Sequence, residues 1–234
     1  MTDIVGLCGN AGSGKDTAAH FLKVYGYKHM SFAWHIKTFV QKVFAMSDDQ
    51  IWGPSEFRNA LDPRAWGHSV SAEFWSDSLR RYDYFVEDFL ESLELKAVSK
   101  EDAGRALMKW FYVTKNNYPQ PSPRILLQTL GTEWGRTVDP DLWVNTTLKE
   151  TARHQKVVIS DVRFENEARA IIAAGGRVVR IFRESDTLAT TVGIENHVSE
   201  TQQNSIPNEL FSVTINNTGT LLDMHTGLHK GLGL

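Results

Sequence analysis

Seven residues near the start, Gly9-Asn10-Ala11-Gly12-Ser13-Gly14-Lys15, have the spacing G-x-x-x-x-G-K. Glycines at these places let a backbone turn tightly and approach an anion closely. Successive N–H groups and a helix N-terminus can then converge on one phosphate. Asn10, Ala11, Gly12, Ser13, Gly14 and Lys15 are therefore candidates for gripping a polyphosphate, with Lys15 as the point charge across its β- and γ-phosphates. The usual next residue is Ser or Thr, but here it is Asp16, followed by Thr17. A carboxylate is a hard ligand for Mg2+, directly or through water. It is also a favourable charge in the first turn of a helix. Thr17 suits the α-phosphate better than the metal.

A second acid has a similar setting. Lys156-Val157-Val158-Ile159-Ser160-Asp161 is a hydrophobic strand pattern ending in Asp161. In phosphate-loop proteins such an Asp stands beside the loop and holds Mg2+ or its waters. A plain turn cap is the simpler alternative. Arg163, Glu165 and Asn166 follow directly, placing charge where open α/β sheets bind ligands.

These residues need strands and helices to carry them. Ile4–Cys8 reads as a first strand and Asp16–Tyr25 as a helix stopped by Gly26. Tyr27–Phe32 reads as a strand and Ile36–Ala45 as a helix. Leu79–Leu95 and Ala103–Val113 have helical spacing, as do Arg124–Trp134 and Leu142–Arg153. After Lys156–Asp161 come a helix over Glu165–Ala174, a strand over Arg177–Phe182, a strand over Phe211–Asn216 and a helix over Thr218–Leu228. Strands alternating with helices predict an α/β fold with a mainly parallel sheet.

The 234 residues carry 25 Lys+Arg and 28 Asp+Glu, a net charge of −3. That argues against a basic coat for a nucleic acid polymer and against a basic membrane-surface protein. The charge is uneven. Ser47–Asp102 holds 13 acidic and 6 basic residues, leaving 15 acidic and 19 basic for the remainder. The same stretch is rich in Trp, Phe and Tyr, and the run Asn116–Pro123 reads as the connector out of it. No apolar run approaches the roughly 20 residues of a spanning helix, and the start lacks a leader pattern. The single cysteine, Cys8, suits a reducing compartment. The expectation is a cytoplasmic protein without membrane association.

Several motifs occur in a fixed order: Gly12-Ser13-Gly14-Lys15-Asp16-Thr17, Pro123-Arg124-x-x-Leu127-Gln128, Leu130-Gly131-Thr132-Glu133-x-x-Arg136, Asp141-Leu142-Trp143-Val144, and Asp161-Val162-Arg163-Phe164-Glu165-Asn166-Glu167. His197-x-Ser199-Glu200 and Asn216-Asn217-x-Gly219-Thr220 close the series. In these the chain resembles the bacteriophage deoxynucleoside monophosphate kinases, a branch of the phosphate-loop nucleoside monophosphate kinases. The motifs cover roughly 1–45 and 120–228, and 47–118 carries little of the resemblance.

The resemblance implies transfer of the ATP γ-phosphoryl group, with Mg2+, to a deoxynucleoside monophosphate. It implies a three-layer α/β/α phosphate-loop kinase, taken as one domain over 1–234. A mostly helical insertion would occupy about 47–118 and a lid about 184–205. Lys15, Arg163 and Arg183 would act on the transferring group, and Asp16 and Asp161 on the metal. Lys37, Arg124, Gln128, Glu133 and Arg136 would handle the acceptor. Lys37 follows Trp34-His35-Ile36, where the family often has Pro-Leu-Lys. Asn217, Thr218 and Gly219 would form a loop against adenine, or a plain turn. A homodimer through the aromatic segment is compatible with the composition, although no periodic seam specifies one. Competing readings are a phosphate-loop kinase of the dephospho-coenzyme A or phosphomevalonate type, and a nucleotide-dependent switch or assembly ATPase.

Overall fold

The apolar run before the glycine-rich loop becomes the middle strand of a sheet in a computed structural model that describes residues 2–10, 12–183 and 202–234. The strands are β1 (Asp3–Cys8), β2 (Lys28–Met30), β3 (Lys156–Val162), β4 (Arg177–Phe182) and β5 (Val213–Asn216). They lie in the order β2-β3-β1-β4-β5, and every pairing is parallel. Buried parallel strands need apolar residues on both faces. The continuous runs Ile4–Cys8 and Val157–Ile159 meet that need.

Two helix layers cover the sheet. On one face α1 (Lys15–Val24) contributes Ala18, Ala19 and Leu22, and the C-terminal helix, here α10 (Leu221–Leu232), contributes Met224, Leu228 and Leu232. They pack with Val5, Leu7, Val158, Val179 and Ile181. On the other face lies α9 (Glu165–Ala173). A Cβ on Gly6 would stand 2.6 Å from Ile171 Cδ1, so the missing side chain at position 6 lets α9 sit close. This is the three-layer α/β phosphate-loop kinase fold.

Among the described residues the chain divides into two compact units. One comprises 2–32, 147–183 and 202–234, and the other 33–146. The second contains no strand. Its helices are α2 (Trp34–Phe44), α3 (Asp48–Ile51), α4 (Ser55–Asn59), α5 (His68–Ser92), α6 (Lys100–Asn117) and α7 (Pro123–Thr129). The division falls within α8 (Leu142–Thr151). Phe44 is the centre of an aromatic cluster with Phe74, Trp75, Trp110 and Phe111, at centroid distances of 5.5–6.4 Å.

Several expectations change, and the strands expected over Tyr27–Phe32 and Phe211–Asn216 contract to Lys28–Met30 and Val213–Asn216. The helix expected from Leu79 begins at His68, because Phe74, Trp75 and Ser78 extend the same buried face. The helix expected over Arg124–Trp134 stops at Thr129 and continues as a π-helix, Leu130–Arg136. The strand expected to end at Asp161 runs on to Val162. Residues 184–201 of the expected lid, with His197 and Glu200, lie outside the described residues. Gln202–Ser205 is a short 3-10 turn. No described helix is long and apolar enough to cross a membrane.

Candidate active site

The parallel sheet brings several loops to one edge. Cys8 pairs with Val162 and Arg180, and Phe182 pairs with Asn216. The glycine-rich loop after β1, Asp161 near the end of β3, Arg183 after β4 and Asn217 after β5 therefore share the carboxyl edge, where open α/β sheets bind ligands.

The loop is held by its own lysine and by two distant amides. Lys15 Nζ donates to Gly9 O and Asn10 O, both at 2.6 Å. Asn217 Nδ2 donates to Ser13 O (2.8 Å), and Gln203 Nε2 donates to Asn10 Oδ1 (2.8 Å). Two glycines are required sterically as well as conformationally. Gly9 has φ 155°, and a Cβ there would lie 2.3 Å from Ile181 O. Gly14 has φ 104°, and its Cβ would lie 2.5 Å from Asn217 Nδ2. Gly12 meets nothing within 4 Å, and Ser13 is buried. Ala11 lies outside the described residues. Asp16 and Thr17 are exposed in the first turn of α1.

Asp161 is aimed by an irregularity. Gly6 aligns with Ile159 and Cys8 with Val162, so β3 gains one residue against β1 around Ser160–Asp161. Such bulges re-aim side chains beside active sites. Asp161 Oδ1 accepts from Phe32 N at 2.8 Å, and His29 Nε2 and Ser160 Oγ share a hydrogen bond of 2.6 Å. After the strand, buried Glu167 accepts from Arg163 N (2.7 Å) and Phe164 N (3.0 Å), fixing the turn from which Arg163 projects. Arg183 is exposed. Arg180, on β4, donates to Asn208 Oδ1 and Ile206 O and lies 4.0 Å from the Phe211 ring centroid. It tethers the segment before β5. Thr218 and Gly219 are exposed just before Thr220, which caps α10 through Asp223.

Cys8 is buried on β1, and burial pushes its thiol up to about 11 despite the Arg180 and Lys15 charges. It stays a neutral core thiol.

The remaining sequence candidates belong to the helical unit. Ser122 caps α7, its Oγ accepting from Ile125 N (3.3 Å), with Pro123 in the first turn. That fixes Arg124, whose Nε donates to Asn59 Oδ1 at 2.5 Å. Gln128 is buried, Glu133 exposed and Arg136 half-buried. The π-helix that carries Glu133 and Arg136 is gripped by Trp143, whose Nε1 donates to Gly131 O at 2.8 Å. A Cβ on Gly135 would stand 2.3 Å from the same indole. Lys37 Nζ lies 4.8 Å from the Trp52 ring centroid.

Sequence reasoning assigned no part to Gln203, Asn59 or the backbone N–H of Phe32. Glu167 lies within a quoted motif, and its spacing from Phe164 was the available signal. Asn217 was named for adenine, whereas its amide is bonded to the loop backbone.

A model of the deoxynucleotide monophosphate kinase family matches residues 3–227, running through the helical stretch 47–118 that the motifs leave uncovered. A protein of Acanthamoeba polyphaga mimivirus, provisionally named a deoxynucleotide monophosphate kinase, is 26% identical over 227 residues, 95% of this chain and 92% of its own. The deoxynucleoside-5'-monophosphate kinase of Escherichia phage T5 is 27% identical over 192 residues, 73% of this chain and 72% of its own. With a phosphate loop stapled at the sheet edge and a family match over nearly its whole length, the chain belongs to the deoxynucleotide monophosphate kinase family.

Proposed function

We propose that this enzyme moves the γ-phosphoryl group of ATP to a deoxynucleoside monophosphate, with a division of labour between its two units. The observation that carries the reading is the phosphate loop, braced from β5 and by Gln203, on the same sheet edge as Asp161. Asn10 to Thr17 hold the ATP phosphates. Lys15 exchanges its loop carbonyl partners for β- and γ-phosphate oxygens. Arg163 and Arg183 add positive charge around the transferring group, and Thr218 and Gly219 border the adenine. Lys37, Arg124 and Arg136 take the acceptor phosphate, where a guanidinium fork suits bidentate contact. Gln128 and Glu133 set those arginines or touch the base.

Mg2+ fits the residues present. Asp16 and Asp161 offer hard oxygens at the loop edge, and Mg2+ is commonly held by one or two carboxylates with substrate phosphates and water. Substrate phosphates and water would complete the set. The ion would neutralise phosphate charge. The chain's own groups align donor and acceptor, and this alignment with charge stabilisation is nearly all that phosphoryl transfer asks of a protein. An acceptor phosphate oxygen bonds to the γ-phosphorus, the bond to the β–γ bridging oxygen breaks, and ADP leaves with that electron pair. A cytoplasmic setting, where ATP and deoxynucleotides are found, accompanies this reading, and a homodimer is compatible with it.

The test is ADP release with ATP, Mg2+ and each deoxynucleoside monophosphate in turn. Acceptor-dependent ADP and a matching diphosphate product are expected. Hydrolysis indifferent to every acceptor would replace the kinase reading with that of an ATPase.

A further inference from the structure

Arg124 is held from outside its own helix. Its Nε donates to Asn59 Oδ1 at 2.5 Å. Asn59 is the last residue of α4, and that short helix is fixed on both sides. The neighbouring Arg58 donates to Gly53 O and to Ser55 Oγ. Just after the helix, Asp62 N donates to Pro121 O at 3.2 Å. Pro121 directly precedes Ser122, which caps α7. The segment carrying the amide and the segment carrying the guanidinium are therefore tied together beside the bond that joins them.

Two chemical properties of the side chain at 59 matter. A guanidinium is a rigid fork of N–H donors, and it can meet an oxyanion with Nε and one Nη or with the Nη pair. A partner on Nε removes the first choice, so a phosphate meets the Nη pair. The amide is also neutral. A carboxylate in its place would hold the same N–H more strongly, but it would offset the charge that attracts a phosphate. A neutral acceptor orients the guanidinium and leaves its positive charge for the ligand. An arginine oriented in advance gives up less side-chain freedom when the ligand arrives.

We infer that Asn59 is a positioning residue for the acceptor phosphate, setting the fork of Arg124 without neutralising it. The inference rests on the kinase reading above, in which Arg124 takes that phosphate.

The experiment compares the full-length wild type with Asn59→Ala, Asn59→Asp, Arg124→Ala and the double variant Asn59→Ala, Arg124→Ala. Steady-state kinetics use ATP, Mg2+ and the deoxynucleoside monophosphate that the wild type turns over fastest, and thermal melts read the fold. Asn59→Ala should raise the acceptor KM about tenfold, the scale of one hydrogen bond to a charged group, with the KM for ATP unchanged. Asn59→Asp should raise it at least as much while melting no lower than wild type. A merely structural contact would not give that split, because the aspartate keeps the bond. Once Arg124 is alanine, Asn59→Ala should add little, since coupled residues are not additive. A wild-type acceptor KM in either Asn59 variant would overturn the assignment, as would additive losses in the double variant. If Arg124→Ala itself leaves the acceptor KM unchanged, the acceptor role of Arg124 falls, and the positioning role with it. If the wild type phosphorylates no deoxynucleoside monophosphate, the kinase reading is what fails, and it takes the inference with it.

Discussion

Around the phosphate loop, order comes from single polar bonds to particular atoms: Asn217 to Ser13 O, Gln203 to Asn10 Oδ1, Phe32 N to Asp161 Oδ1. The core beneath is aliphatic, built from Val, Leu, Ile and Ala on strands and α1. Around Phe44 in the helical unit the order comes from rings, four of them within 6.4 Å by centroid. A parallel sheet supplies its own spacing, so small side chains fill it and a few amides position the loop. Helices without a sheet leave larger gaps between cylinders, and Phe and Trp fill them. The difference predicts that changes near the loop alter chemistry at little cost in stability. Changes near Phe44 should do the reverse.

The sharpest way to break that contrast is Lys15→Ala. It should lower ATP-dependent acceptor phosphorylation by at least a hundredfold to a thousandfold, the scale of removing one preorganised charge-stabilising group. The thermal midpoint should hold, because Asn217 and Gln203 still brace the loop. Near-normal turnover in coupled assays would remove Lys15 from the reaction. In the helical unit, Phe44→Ala should cost about 3–5 kcal/mol in denaturant unfolding. A loss under about 1 kcal/mol would show that the ring cluster does not carry the unit.

Asn217→Ala tests the bracing itself. It removes the donor to Ser13 O and leaves a carbonyl short of a partner, a penalty of about 1–3 kcal/mol when buried. Asn217 is half-buried, so the lower end applies, about a tenfold rise in the KM for ATP with the acceptor KM little changed. An unchanged ATP KM would make the bond incidental.

What was legible in the sequence follows from how local each signal is. The loop, β3 and β4 announce themselves in runs of a few residues, and the ordered motifs point to the family later matched over 3–227. Contacts such as Gln203 to Asn10, 193 residues apart, leave no local trace. The π-helix was missed for a different reason. Shifting hydrogen bonds by one residue changes no composition, and Gly131 and Gly135 show their purpose only once Trp143 is seen against them. The early part of α5 was missed because its buried face mixes Ser71 and Ser78 with Phe74 and Trp75, which blurs the apolar period.

The smallest effect concerns pH and separates the two units once more. In the helical unit the Asp62 side chain is fully buried and accepts from Arg64 Nε (2.9 Å), Arg64 N (2.9 Å) and Gln50 Nε2 (3.2 Å). Burial pushes its carboxyl up, but the Arg64 side chain and N–H, with Gln50, outweigh that and hold it below the ordinary value of 3.8. Arg64 also donates to Phe44 O and Ala45 O, so the pair closes the C-terminus of α2. A carboxyl whose folded pKa is depressed stabilises the fold fully above its unfolded pKa. That contribution is lost as pH falls through the folded value. Asp62→Asn should therefore be less stable than wild type at about pH 6, with the gap narrowing below about pH 4 as wild-type Asp62 becomes protonated. Urea unfolding across that range reads the gap directly. Acid limbs that run parallel would mean that the pair contributes by shape rather than by charge. The contrast between a polar loop unit and a ring-packed helical unit would then hold without the charge of the Arg64–Asp62 pair.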